Sequence, residues 1–266
     1  LRGMTSNPTI FNNAIGASTD YDKKIRALKE AGKTTFEIYD ALTINDIQEA
    51  TEQFLNIYKA TNGLDGYVSL EINPQIADKT DEQVREGLRL FKAVNRPNVM
   101  IKVPSTKAGI TVIEELTAKG VNVNATLIFS VGEYEQVAKA YYQGLTRRAQ
   151  EVSDLSPVRS VASVFVSRID TAVDKMLDEQ LAKETDQAQK KQLQSLKGKA
   201  AVANSRITFE KWKEIRNSDV AVALEGNHAN VQRVLWGSTG TKNPQYSDIK
   251  YVTELIAAPT VNTLPE

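Results

Sequence analysis

A chain of 266 residues with 41% hydrophobic content can bury one large core or two small ones, and 33 basic against 33 acidic residues leave it without net charge. That balance argues against a nucleic-acid partner, which would draw a basic excess, and the absence of Cys excludes disulfides, thiolate zinc sites and a cysteine nucleophile. With one His there is no histidine cluster for a metal, and no apolar run reaches the roughly 20 residues of a membrane span, so a cytoplasmic protein with no membrane contact and no metal or other cofactor is expected.

In chain order, a strand is predicted over 1–6, then a long helix from about 34 to 60 marked by Phe36, Tyr39, Leu42, Ile47, Phe54 and Tyr58. A second strand falls at 66–72. Asp81 reads as the N-cap of a helix carrying Val84, Leu88, Phe91 and Val94. A strand at 98–103 follows, then a helix through Val112, Ile113 and Leu116 that stops at Gly120. Strands are predicted at 121–127 and 158–166. The Lys/Glu/Gln-rich stretch from about 170 to 217 reads as two solvated helices on the outside of the fold. Gly226-Asn227-His228-Ala229 reads as a loop with a solvated imidazole rather than a catalytic one, and strands at 233–237 and 260–264 complete the series. No linker or repeat interrupts it, so a single domain is expected.

Strands alternating with helices fit either a doubly wound sheet or a (β/α)₈ barrel. Polar residues keep one parity from strand to strand: Ser69, Glu71 and Asn73; Asn98 and Lys102; Asn122, Asn124 and Thr126. A sheet covered by helices on both faces would read as continuous Val, Ile and Leu. A buried face carrying Glu, Lys, Asn and Thr is costly unless those groups bond one another, and their clustering marks a site. The pattern therefore favours an α/β protein of the TIM-barrel type, with function at the C-terminal strand ends.

Lys102 stands out because it is a cation inside Val-Met-Ile-Lys-Val-Pro. One reading is a purely structural pair with Glu71. The other is a nucleophile: burial disfavours the ammonium, and a neutral amine attacks a carbonyl to form a Schiff base that serves as an electron sink for breaking the adjacent C–C bond. Glu71, on the preceding strand, would then move protons as general acid and base. Arg168, just past a strand, and Lys242, at the end of Gly237-Ser238-Thr239-Gly240-Thr241-Lys242, are candidates for an anion. The latter run lacks Walker-loop spacing and is equally readable as a turn with a solvated Lys.

Several motifs carry a family resemblance: Thr5-Ser6-Asn7-Pro8-Thr9-Ile10-Phe11, Ser69-Leu70-Glu71, Ile101-Lys102-Val103-Pro104-Ser105-Thr106 with Ala108-Gly109-Ile110, Asn124-Ala125-Thr126-Leu127-Ile128-Phe129-Ser130, and Ser163-Val164-Phe165-Val166-Ser167-Arg168-Ile169-Asp170. Together and in this order they resemble the transaldolase family. Trp236-Gly237-Ser238-Thr239-Gly240-Thr241-Lys242-Asn243-Pro244 and Thr260-Val261-Asn262-Thr263-Leu264-Pro265 resemble the branch whose members sometimes occur fused to a phosphoglucose isomerase. The resemblance implies a class I transaldolase of the pentose phosphate pathway, which needs no metal and acts on sugar phosphates. Lys102 would be the Schiff-base lysine, Glu71 the acid/base and Thr126 the residue that helps place its water. Asn7, Asn124 and Ser163 would bind dihydroxyacetone hydroxyls, and Arg168, Ser238 and Lys242 the phosphate. It also implies a first strand with an Asp upstream of Leu1 and a helix after Leu264-Pro265, so residues 1–266 are expected to be one barrel domain trimmed at both ends. A fructose-6-phosphate aldolase-like lyase and a barrel that binds sugar phosphates without catalysis are the alternatives.

Overall fold

Seven strands and eleven α-helices occur in residues 1–264, the part of the chain described by the computed structural model. Pro265, the last residue of the final family-like motif, lies outside the described residues. The chain divides into two units, Leu1–Asn124 and the part from Ala125 on.

In the first unit β1 (Gly3–Thr5), β2 (Tyr67–Glu71) and β3 (Val99–Pro104) pair in parallel and in chain order. The register sets Thr5 opposite Ser69 and Glu71 opposite Lys102. All six residues of β3 are buried, Lys102 included. Between the strands run α1 (Pro8–Ala17), α2 (Asp22–Glu30), α3 (Thr35–Ala60), α4 (Thr80–Val94) and α5 (Lys107–Ala118), with a 3-10 turn at Pro74–Ile76. The predicted 34–60 helix is α3, opened by a capping box in which Thr34 and Glu37 satisfy each other's backbone N–H groups. α5 ends as expected at Gly120, whose φ of 79° permits the Val121 N–H to reach back to the Leu116 carbonyl.

One expectation changes here, and two helices are added to the predicted elements. Asp81 is not a cap: α4 begins at Thr80, Lys79 holds the cap position without a side-chain bond, and Asp81 sits in the first turn, where its charge suits the positive helix end. Helices α1 and α2 were not predicted. The α1 signal is local, Asn7 capping Ile10 with Pro8 in the first turn, whereas α2 buries no residue fully and so offers no apolar face to read.

Strand β4 (Val123–Ile128) crosses the division. The second unit continues with α6 (Val131–Arg148), β5 (Ser160–Phe165), α7 (Ser167–Leu181), α8 (Gln187–Leu196), α9 (Ala200–Arg216), α10 (Asp219–Glu225), β6 (Arg233–Gly237), α11 (Lys250–Leu255) and β7 (Val261–Asn262). β5, β6 and β7 are again parallel and in chain order, with Phe165 opposite Gly237 and Trp236 opposite Asn262. One core cluster joins Tyr141, Leu145, Leu155 and Val158 to Ala221 and Leu224 of α10. The stretch from 170 to 217 holds most of α7 and the whole of α8 and α9, three helices rather than two, and of these only α8 is free of buried residues. α7 buries Asp170 and Asp174 with Leu177, and α9 buries Ser205 and Thr208 with Ala201, Val202 and Trp212, so polar residues interrupt the apolar stripe of each inner face.

Strand order equal to chain order in each unit is the topology of a (β/α) barrel, not of a doubly wound sheet, whose order reverses at a switch point. The fold is α/β of the TIM-barrel type. No described helix is long and apolar enough to cross a membrane.

The turn after β3 makes a direct test of packing. Thr106 caps α5 by accepting from the Gly109 N–H at 3.0 Å, and a Cβ on Gly109 would lie 1.8 Å from the Pro104 carbonyl oxygen. Gly109→Ala is expected to destabilise by about 3 kcal/mol, at the upper end of overpacking costs. Gly132→Ala, in the first turn of α6 with nothing within 4 Å of the new methyl, should be neutral or stabilising by up to about 1 kcal/mol, with both variants compared by urea-induced unfolding.

Candidate active site

Parallel pairing brings Lys102 and Glu71 side by side, two residues before the end of β3 and at the end of β2. Lys102 Nζ donates to Glu71 Oε2 at 3.2 Å and to the Ser6 carbonyl oxygen at 3.3 Å. The two side chains are only 9% and 16% exposed, so both charges have lost most of their water. Ser6 is held in turn by β2: its N–H and its hydroxyl both donate to the Ser69 carbonyl oxygen, at 3.2 and 2.7 Å. Asn124 joins the same group by donating from Nδ2 to Ser69 Oγ at 3.0 Å. Asn7 lies next to Ser6, and its side-chain oxygen caps α1 by accepting from the Ile10 N–H at 2.9 Å.

The polar parity of the strands is only partly a site. Asn98 donates to the carbonyls of Thr51 and Gly66, and Asn122 to those of Pro97 and Val99, so these two fasten backbone at the entrance ends of their strands. Lys102, Glu71, Ser69 and Asn124 form a second group further along the strands, joined by the Lys102–Glu71 and Asn124–Ser69 bonds. Tyr39 is a neighbour that sequence reasoning used only as a helix marker. It meets Phe11 edge-on at 6.4 Å, and burial together with the Glu71 carboxylate pushes its hydroxyl above the ordinary tyrosine range. Its link to the site spans 32 positions of sequence and leaves no local signal.

In the second unit, Thr126 and Ser163 are buried in β4 and β5. The Thr126 hydroxyl has no hydrogen-bond partner among the described residues, and the next residue, Leu127, is forced to a φ of 61°, a conformation unfavourable for a side chain of its size. Arg168 is exposed in the first turn of α7, with its guanidinium carbon 5.3 Å from the centre of the Phe165 ring, which itself meets Phe129 edge-on. No side chain caps α7. Ser238 comes to the start of the same helix: its carbonyl accepts from the Ser167 N–H, and the two hydroxyls lie 3.0 Å apart. Lys242 is exposed further along the loop, on a cleft of about 550 Å³ whose walls include Asp174, Asp178 and Tyr246. His228 is an exposed turn residue, as expected. Among the described residues no group of three or more His, Asp or Glu side chains is arranged to hold a metal.

Parallel βα units with a desolvated amine–carboxylate pair at the strand ends define an enzyme of the α/β-barrel class. The model of the family described as transaldolase/fructose-6-phosphate aldolase matches residues 1–266. A transaldolase of Trichodesmium erythraeum is 46% identical over 265 residues, covering 100% of this chain and 70% of the relative. Transaldolase 2 of Nostoc sp. and a transaldolase of Saccharopolyspora erythraea are each 46% identical over 264 residues, covering 99% of this chain and 69% of the relative. The chain belongs to the transaldolase/fructose-6-phosphate aldolase family. Family and relatives together support transaldolase activity, which makes the chain a transferase.

The pair makes an asymmetric stability prediction. Removing one partner of a buried ion pair leaves a bare charge, so Glu71→Ala, which strands the less exposed ammonium, should cost about 3 kcal/mol. Lys102→Met replaces the stem by a side chain of similar shape and leaves a carboxylate that still touches water, for a loss of about 1 kcal/mol. Equal losses in urea-induced unfolding would contradict this account of the burial.

Proposed function

We propose that this chain is a class I transaldolase that moves a dihydroxyacetone unit from a ketose phosphate, such as fructose 6-phosphate or sedoheptulose 7-phosphate, to an aldose phosphate in the pentose phosphate pathway of the cytoplasm. The observation that carries the reading is the Lys102 amine held 3.2 Å from Glu71 inside a buried strand. A structural pair would need no such place, because apolar side chains of similar volume stabilise an interior as well or better.

In this mechanism Glu71 takes a proton from the Lys102 ammonium, the freed amine attacks the ketose carbonyl carbon, and loss of water gives a protonated Schiff base. Glu71 supplies the proton that lets the hydroxyl leave as water. The iminium then accepts the electron pair of the adjacent C–C bond as a base removes the proton from the neighbouring hydroxyl, and an aldose phosphate departs. The three-carbon enamine left on Lys102 attacks the aldehyde carbon of the acceptor, and water returned across the C=N bond releases the new ketose and the free amine. Thr126, whose buried hydroxyl has no protein partner among the described residues, would help place that water. Asn7, Asn124 and Ser163 would bind the hydroxyls of the three-carbon unit. The phosphate would be taken by Arg168, at a helix start that no side chain caps, with Ser238 beside it and Lys242 as second cation.

The family description covers a lyase as well as a transferase, and the two separate on acceptor dependence. With fructose 6-phosphate alone turnover should be negligible, and erythrose 4-phosphate should start it. Release of free dihydroxyacetone at an undiminished rate without acceptor would make the chain a lyase, and no turnover in either case would leave only binding. Arg168→Ala should raise KM for fructose 6-phosphate roughly 10- to 100-fold, as expected for loss of hydrogen bonds to a charged group, and should leave KM for free dihydroxyacetone as donor nearly unchanged. Equal effects on both donors would remove Arg168 from the phosphate site.

A further inference from the structure

Two carboxylates one turn apart on α7, Asp170 and Asp174, are 2% and 7% exposed and play no part in the proposed reaction. Each divides its oxygens in the same way. One oxygen accepts a backbone N–H from the turn that opens α9: Asp174 Oδ1 from Gly198 and Asp170 Oδ1 from Ala201, both at 2.8 Å. The other accepts a tyrosine hydroxyl from the chain that follows β6: Asp174 Oδ2 from Tyr246 at 2.6 Å and Asp170 Oδ2 from Tyr251 at 2.7 Å. Lys250 lies over both rings, at 5.8 and 5.7 Å from their centres. Gly198 is part of the same fitting. Its φ is 69°, and a Cβ there would stand 2.7 Å from the Tyr246 ring.

This arrangement bears on the loop 238–246. At one end the loop is tied to α7 through Ser238 and Ser167. At the other, Asn243 closes a turn by accepting the Gln245 N–H on its side chain and the Tyr246 N–H on its carbonyl, and Tyr246 then returns the chain to α7 at Asp174. Lys242 lies midway between the two anchors, and it lines the same cleft as Asn243, Tyr246 and Asp174. Both anchors thus lead to the helix that carries Arg168. Fixing a loop with buried carboxylates is a costly way to add stability, because burying a charge opposes folding, but hydrogen bonds set direction as apolar packing does not. Burial and the hydrogen bond to Asp174 push the Tyr246 hydroxyl above its ordinary range.

We propose that Tyr246, clamped on Asp174, is a positioning residue that holds the loop 238–246 on α7 and so aims Lys242 at the phosphate of the sugar substrate. The inference rests on the reading of Lys242 as a phosphate ligand, and its test keeps the two apart. Kinetics with fructose 6-phosphate and erythrose 4-phosphate, with inorganic phosphate as competitive inhibitor, are measured for the parent, Tyr246→Phe, Lys242→Ala and the double variant. Tyr246→Phe should raise both KM for fructose 6-phosphate and Ki for phosphate about five- to tenfold, in line with the net worth of one ordinary hydrogen bond and less than full loss of a phosphate ligand, while kcat stays within about twofold. In the Lys242→Ala background the same change should add less than about twofold, because Tyr246 acts through Lys242. Asp174→Asn, which weakens the clamp from its other side, should reproduce the KM and Ki shift. A purely structural role would instead lower kcat or melting temperature and leave Ki in place, and that result overturns the proposal. So do fully multiplicative effects in the double variant. If Lys242→Ala itself leaves KM and Ki unchanged, the phosphate reading of Lys242 fails, and the positioning role fails with it. If Lys242→Ala shifts them and Tyr246→Phe does not, the positioning role alone is lost.

Discussion

An ammonium and a carboxylate placed 3.2 Å apart among buried side chains set conditions on the whole first unit. The cost of taking both from water is recovered only if the geometry is fixed and the remaining hydrogen-bonding capacity is used. The parallel register of β2 and β3 fixes the geometry by setting Glu71 opposite Lys102. The Ser6 carbonyl supplies the further acceptor, and Ser6 is itself pinned by two bonds to the Ser69 carbonyl. The start of α1, the β1–β2 junction and the placement of Asn124 on Ser69 are therefore parts of one hydrogen-bonded arrangement around the amine. A slip of β3 by one residue would turn Lys102 to the opposite face of the sheet and separate it from Glu71.

The second unit meets a different requirement, that of holding cationic and hydroxyl groups beside a helix start. Arg168 packs on Phe165, and Gly237, which pairs with Phe165 across the strands, leaves room for that ring; a Cβ there would lie 3.2 Å from it. The chain after β6 then stays close to α7 through hydroxyl groups, first Ser238 and later Tyr246 and Tyr251. Backbone and carboxylate acceptors serve this purpose because a loop carrying Lys242 has no apolar face with which to bind itself.

Strands β2 to β4 were legible because Val, Leu and Ile recur at alternate positions between the polar residues, and Lys102 was legible because a cation is anomalous in a strand whose six residues are all buried. What could not be read had its cause elsewhere in the chain. α7 and α9 read as solvated because Asp170, Asp174, Ser205 and Thr208 interrupt the apolar residues of the faces they bury. Asn98 and Asn122 share the parity of the site residues, yet they hold backbone carbonyls up to 47 positions away. The contacts of Ser6, Tyr39 and Tyr246 leave no local pattern, because their partners lie 63, 32 and 72 positions distant in the chain. Periodicity reports which side chains leave water; it does not report which of them meet.

All of this chemistry is assigned to a single nitrogen, and trapping that nitrogen tests it most directly. The protein is incubated with fructose 6-phosphate, reduced with borohydride and digested, and its peptides are weighed by mass spectrometry. The account predicts a reduced three-carbon adduct on the peptide that carries Lys102, absent from Lys102→Met and from samples without sugar. An unchanged Lys102 peptide, or an adduct of the same mass on another lysine, would contradict it.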